Sequence, residues 1–72
     1  MPAFFHEEEG GDAEVNNAKK LMKEAFLAQS AKDLEVAVQK AVEVNKEGKL
    51  DKQIEFCKTK IEVYTERAAA SQ

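Results

Sequence analysis

The chain has 72 residues, which is enough for at most one small domain with a single hydrophobic core. Its hydrophobic fraction of 43% predicts a folded chain, and its net charge of −3 argues against a nucleic-acid-binding protein. No apolar run approaches the roughly 20 residues of a membrane helix, and the first residues lack the basic and apolar regions of a signal peptide, so we expect neither.

Residues 1–11 are predicted to form a flexible, disordered acidic arm. This segment contains the only Pro and two of the three Gly residues. Five of the 14 acidic residues lie within residues 1–14, where there is no Lys or Arg. Phe4 and Phe5 are the exception to this polar character. Either the two rings fold back onto an apolar groove of the domain, or they belong to a disordered tail.

Residues 12–72 are predicted to form an all-α, three-helix bundle whose first helix covers residues 12–29. Asp12 is a good N-cap, because its carboxylate can accept hydrogen bonds from the first turn. Apolar residues then recur on one broad face: Val15, Ala18, Leu21, Met22, Ala25 and Phe26. Ser30 is the only break signal before Glu47, and it can cap a second helix. The alternative, a single helix of about 36 residues, would have little core without dimerisation, so we favour the break.

The second helix is predicted over residues 31–47 and the third over residues 50–67. The second has the widest apolar arc of the chain, which is typical of a helix between two neighbours: Leu34, Ala37, Val38, Ala41, Val42 and Val44. Gly48 is expected to end it, because glycine readily adopts the left-handed conformation that closes a helix. The third helix carries a heptad seam typical of bundles: Leu50, Ile54, Cys57, Ile61, Tyr64 and Ala68.

No set of catalytic residues can be drawn from the sequence, so we expect no enzyme and no cofactor. His6 beside Glu7–Glu9 is interpreted as part of a solvated arm and not as a metal site, because consecutive positions cannot all converge on one ion. Cys57 is expected to be buried in the seam and unreactive. As the single cysteine it excludes an internal disulfide and favours a reducing, cytoplasmic location.

Phe56 and Val63 lie seven residues apart on a face of the third helix away from its seam. One interpretation is that the other helices cover this strip. The other is a docking surface with a basic margin for an amphipathic helix or an acidic, apolar segment of a protein partner. The partner-binding residues would then be Phe56, Val63, Lys60, Arg67, Phe4 and Phe5, with the arm as a competing occupant. Acids are interspersed with the lysines along every helix, which argues against nucleic acid.

The stretch Leu34–Tyr64 combines alanines one turn apart, an Asn and Gly turn and an apolar seam. These positions are Ala37, Ala41, Val42, Asn45, Gly48, Leu50, Ile54, Ile61 and Tyr64. The pattern resembles the first helical hairpin of an MIT domain, the microtubule-interacting and trafficking module. That resemblance implies a non-enzymatic module that binds amphipathic segments such as ESCRT-III tails in membrane trafficking. The chain departs from the family at Gln53, Cys57 and Lys60, and its additional helix precedes the hairpin, so no binding residue is carried over.

Two other interpretations remain open. Tetratricopeptide hairpins share much of the same pattern, which would suit a small helical adaptor or an oligomerisation subunit that forms a weak homodimer. The segment Ala3–Glu9 weakly resembles the FFAT motif, in which two aromatic residues in an acidic tract bind a receptor domain at membrane contact sites. Here Glu7 stands where that motif has a small residue, and no acids precede Phe4 and Phe5.

Overall fold

The computed structural model describes residues 5–71 and contains three α-helices: α1 (Ala13–Leu27), α2 (Ala31–Val44) and α3 (Asp51–Ala70). Within this range there is no strand. The chain is therefore an all-α, three-helix bundle, as the sequence predicts. Phe4 lies outside the described residues. None of the helices in the described range has the length and apolarity to cross a membrane.

The central position predicted for α2 is confirmed. It packs extensively against both α1 and α3, whereas α1 and α3 contact each other much less. Its buried side chains follow helical spacing: Leu34, Ala37, Val38, Ala41 and Val44. We call the side of the bundle on which α1 and α3 contact each other sparsely the cleft.

The predicted starts of α1 and α2 are confirmed by their caps. The Asp12 carboxylate accepts hydrogen bonds from the backbone N–H groups of Glu14, at 2.8 Å, and Val15, at 3.4 Å. The Ser30 hydroxyl accepts one from the N–H of Asp33 at 3.2 Å. Each cap satisfies donors that the first helical turn leaves without a partner. The break at Ser30 excludes the single long helix.

The predicted end of α2 at Gly48 is wrong, because the helix already ends at Val44. Asn45 leaves the helix with φ −70° and ψ 108°. Its side-chain oxygen accepts from the N–H of Leu50 at 2.9 Å, and its amide donates to Asp51 Oδ1 at 2.7 Å. These bonds stabilise a loop in which Gly48 has a φ of 71°. The glycine thus serves the loop and not the helix terminus.

Three side chains face differently from the sequence prediction. Val42 and Leu21 were placed on core faces, but they are 54% and 37% exposed. Val42 lies about 100° around α2 from the middle of the buried set, which is beyond the reach of either neighbouring helix. Lys19 does not belong to the apolar face predicted for α1, but it is buried, and its Nζ donates to the His6 carbonyl at 3.2 Å. The arm therefore covers a position that helical periodicity leaves in solvent.

The seam predicted on α3 is confirmed as far as Tyr64. Leu50, Ile54, Cys57 and Tyr64 are buried, and Ile61 is partly buried against the core. Beyond Tyr64 every described residue of α3 is exposed, including Ala68, although the helix continues to Ala70. The final turns of α3 thus extend past the part of the helix that contributes to the core.

Candidate partner-binding site

Three phenylalanine rings from separate segments meet at the cleft between α1 and α3. Phe5 belongs to the arm, Phe26 to the last turn of α1 and Phe56 to the second turn of α3. The ring centroids are 6.2 Å apart for Phe5 and Phe26, 5.9 Å for Phe5 and Phe56, and 5.3 Å for Phe26 and Phe56. The two pairs that include Phe56 are close to edge-to-face, a favourable geometry for aromatic rings. We call these three residues the aromatic cluster.

Phe5 is the most deeply buried member of the cluster. Its side chain is 2% exposed, while Phe26 and Phe56 are partly buried against the core. The Phe5 ring contacts Phe26 of α1 and Phe56 of α3, two helices that contact each other little. Burying such a side chain stabilises a fold by about 1.5–3 kcal/mol. Of the two possibilities that the sequence leaves open, docking of the arm is the one observed for Phe5.

The rest of the described arm runs along α1 in the direction opposite to the helix. The N–H of Glu8 donates to Asn16 Oδ1 at 2.9 Å, and the Asn16 amide donates to the Glu8 carbonyl at 2.8 Å. One turn further along α1, Lys19 Nζ donates a hydrogen bond to the carbonyl of His6 in the arm. After Phe5 the arm contains no helix or strand, in agreement with the prediction. These bonds attach the segment to α1.

Beyond Phe5, the arm is not tightly packed. Its residues 6–11 are exposed, including Glu7, Glu8 and Glu9. A cavity of about 220 Å³ lies beside the arm and the start of α1. Its walls are formed by Glu8, Gly11, Asp12, Val15, Asn16, Lys19 and Lys49. Hydrogen bonds of this kind each contribute only about 0.5–1.5 kcal/mol. The attachment of the arm therefore combines one buried ring with three hydrogen bonds to α1.

The structure brings only some of the predicted partner-binding residues together. Lys60 Nζ lies 5.5 Å from the centroid of the Phe56 ring, a cation–π geometry. Val63 is partly buried against the core. Arg67 lies instead over the ring of Tyr64, at 5.6 Å, on the exposed end of α3. Phe5, Phe56 and Lys60 thus lie together, with Val63 on the same face of α3.

Sequence reasoning missed Phe26 as a member of this site. Its period places it on the core face of α1, and no spacing signal links it to Phe56. The link arises because both rings border the cleft that α2 leaves open between its two neighbours. The signal in the sequence that could have identified Phe26 is its position as a bulky aromatic residue at the margin of the apolar face of α1.

Cys57 is fully buried, as predicted, and burial raises the pKa of its thiol from 9.0 to about 11. We predict that the folded protein reacts with iodoacetamide at mildly alkaline pH far more slowly than the urea-unfolded chain, because its thiol is both covered and protonated. The unfolded thiol ionises first, so this group also lowers the free energy of unfolding as pH rises from 9.0 towards about 11. Mass spectrometry would measure the labelling rates, and equal rates would contradict the burial.

Within residues 5–71 no three His, Cys, Asp or Glu residues are grouped closely enough to hold a metal ion. The chain matches none of the protein-family models, curated proteins or solved structures with which it was compared. The resemblance of the α2–α3 hairpin to an MIT domain therefore depends on its residues alone.

Proposed function

We propose that the protein is a non-enzymatic interaction module whose cleft between α1 and α3 binds an amphipathic or extended apolar segment of a partner. The observation that supports this proposal is the burial of Phe5, a side chain of the arm, against Phe26 and Phe56. A cleft that accepts an aromatic side chain from its own arm has the width and apolarity to accept one from another chain. In this proposal the arm is an internal competitor.

The charges around the cleft favour an acidic partner segment. Lys60 lies over the Phe56 ring, and Lys19 donates to the carbonyl of His6 in the arm. Displacing the arm would free Lys19 to pair with a carboxylate of the incoming segment. Complementary charges of this kind set the register and selectivity of a segment more than its affinity.

The MIT-like pattern of Leu34–Tyr64 makes ESCRT-III tails in membrane trafficking the proposed partner class, and the cytoplasm the proposed location. MIT domains have a third helix after the hairpin, whereas α1 of this chain precedes it. We propose that α1 supplies the wall of the cleft that the additional family helix would otherwise supply. This arrangement explains why the candidate residues come from α1, α3 and the arm.

The proposal can be tested by titrating the isotope-labelled full chain with tail peptides of ESCRT-III proteins and following its NMR spectrum. We expect the largest shifts at Phe26, Phe56 and Lys60. The variant Phe5→Ala should bind more tightly, because its arm no longer competes for the cleft. The gain is about tenfold if the wild-type arm occupies the cleft in about nine-tenths of the molecules. Equal dissociation constants for the two proteins would reject competition by the arm.

A pair of charge variants separates the cleft from the general charge of the chain. Lys60→Glu should weaken binding of an acidic tail peptide. Lys58→Glu makes the same change on α3, where the Lys58 ammonium is exposed and lies 4.0 Å from Glu55, and should have little effect. Phe56→Ser, checked for folding by circular dichroism, should abolish binding. Full affinity in a folded Phe56→Ser variant would reject the cleft as the docking site.

The two other interpretations have less support from the described residues. A carrier of a Phe–Phe linear motif would need Phe5 to leave the aromatic cluster before a receptor could reach it, since the ring is 2% exposed. An oligomerisation subunit would need an apolar surface outside the cleft. The exposed large apolar side chains of the described residues belong to α1 and α2, and they are Leu21, Leu27, Val36 and Val42.

A further inference from the structure

A second groove lies between α1 and α2 and shares no residue with the aromatic cluster. Its volume is about 390 Å³. Ala25, Ala28 and Ala37 line it, and their small side chains leave the space between the two helices open. Leu21 and Val36 also line the groove, with exposed fractions of 37% and 62%.

The exposure of Val36 is not explained by the fold of the monomer. Valine has a low helix propensity, because its branched side chain loses rotamer freedom in a helix. The cost is offset when the side chain is buried, as at Val38, but Val36 remains largely in solvent. Together with Leu21 it places two apolar side chains beside an alanine-lined groove, an arrangement typical of interaction sites.

The charged residues at this groove are all acidic. Glu24 and Asp33 line it, and no Lys, Arg or His in the described part of the chain does so. Neither carboxylate forms an ion pair within residues 5–71. Lys20 lies four residues before Glu24 in α1 and Lys40 lies seven residues after Asp33 in α2, and neither contributes to the lining. The groove thus has an apolar floor and a negatively charged margin, whereas the margin of the cleft is positively charged.

We propose that the groove between α1 and α2 is a second docking site, which binds a basic amphipathic helix of another protein. The apolar face of that helix lies over the alanines, and its Lys or Arg side chains pair with Glu24 and Asp33. A second copy of the chain is a poor occupant, because each of its helices carries both acids and bases and none offers a uniformly basic face. The site is independent of the proposed function of the cleft.

The test uses the full chain and two synthetic peptides of about 14 residues, or about four helical turns. One has leucine at helical spacing with lysine elsewhere, and its matched counterpart has glutamate in place of lysine. We expect the lysine peptide to bind with NMR shifts at Leu21, Ala28 and Val36. The glutamate peptide should leave these three signals unchanged. Raising the salt concentration should weaken binding of the lysine peptide.

Matched variants locate the binding surface. Val36→Ser should weaken binding of the lysine peptide about fivefold or more, as expected when an apolar contact at an interface is removed. Val42→Ser makes the same change on α2 at a residue that is 54% exposed and does not line the groove, so it should have no effect. Glu24→Gln should weaken binding and reduce its salt dependence, whereas Glu62→Gln, on α3, should do neither.

Three results would overturn the proposal. The first is an equal effect of Val36→Ser and Val42→Ser, and the second is binding of the lysine peptide that shifts Phe56 and leaves Val36 unchanged. The third is a dimer in sedimentation equilibrium that Val36→Ser dissociates, which would assign the groove to a second copy of the chain. Failure of the cleft to bind ESCRT-III tails would leave these outcomes unaffected, so the two proposals fail separately.

Discussion

Replacing Val38 with aspartate should unfold the protein. Val38 is 8% exposed on α2, the helix that packs against both of its neighbours. The new carboxylate would be buried without a partner, at a cost of at least several kcal/mol. A core in a chain this short rarely supplies more than about 3–5 kcal/mol of stability. Far-ultraviolet circular dichroism should therefore show loss of most of the helical signal at room temperature.

Val42→Asp is the matched control for this prediction. It makes the same change one turn along the same helix, where the side chain is 54% exposed. Substitutions at such surface positions usually change the free energy of unfolding by less than about 0.5 kcal/mol, apart from the lower helix propensity of aspartate. The sequence pattern places both valines in one apolar arc, so only the packing distinguishes them. Thermal melts that agree for the two variants would show that α2 faces the core differently.

Replacing Phe5 with alanine should lower the free energy of unfolding by about 2–3 kcal/mol. The ring is 2% exposed and contacts both Phe26 and Phe56. Phenylalanine-to-alanine changes in closed cores cost about 3–5 kcal/mol. A smaller loss is expected here, because the arm lies at the edge of the bundle and its neighbours can close over part of the space. Urea unfolding followed by circular dichroism would give the value.

Leu27→Ala is the control for the Phe5 variant. Leu27 is also a large apolar residue, next to Phe26 in α1, but it is 62% exposed. Its truncation should change the stability by less than about 0.5 kcal/mol. If Phe5→Ala were as stable as Leu27→Ala and the wild type, the Phe5 ring would contribute nothing to the fold. The arm would then be the disordered tail that is the alternative interpretation of its sequence.

The contribution of Phe5 to stability also bears on the proposed competition. A partner that displaces Phe5 exposes the ring to water, but it can place its own apolar side chain between Phe26 and Phe56. The exchange therefore costs less than removing the ring outright. With a tethered occupant of this kind, the apparent association constant of every partner equals its intrinsic value multiplied by the fraction of molecules in which the arm has left the cleft. Only segments that bind the cleft more favourably than the arm does would then displace it.

Local chemistry explains the parts of the fold that the sequence predicts well. Asp12 and Ser30 cap their helices through hydrogen bonds to residues two or three positions away, so their role is readable from a short window. The central place of α2 follows from its wide apolar arc, which only two neighbours can cover. The end of α2 is less readable, because the side chain of Asn45 bonds to Leu50 and Asp51 and makes a loop where periodicity continues the helix.

The candidate sites depend on contacts between distant parts of the chain. Phe5 and Phe56 come from opposite ends of the sequence, and only the packing of α1 and α3 around α2 brings them together. Residues 6–11 of the arm contain no helix or strand, so no period in the sequence signals how the arm docks. The groove between α1 and α2 arises where alanines face each other across two helices, and it is visible only once their rotation is known. Val36 was therefore not recognised as part of a surface.

The most direct test of the central claim is a nuclear Overhauser spectrum of the wild-type protein in the absence of any partner. Protons of the Phe5 ring should give cross-peaks with protons of both the Phe26 and the Phe56 rings, because all three centroids lie within 6.2 Å of one another. The chemical shifts of Phe5 should also differ from random-coil values through ring currents. A Phe5 ring with random-coil shifts and no cross-peaks to Phe26 or Phe56 would contradict the account.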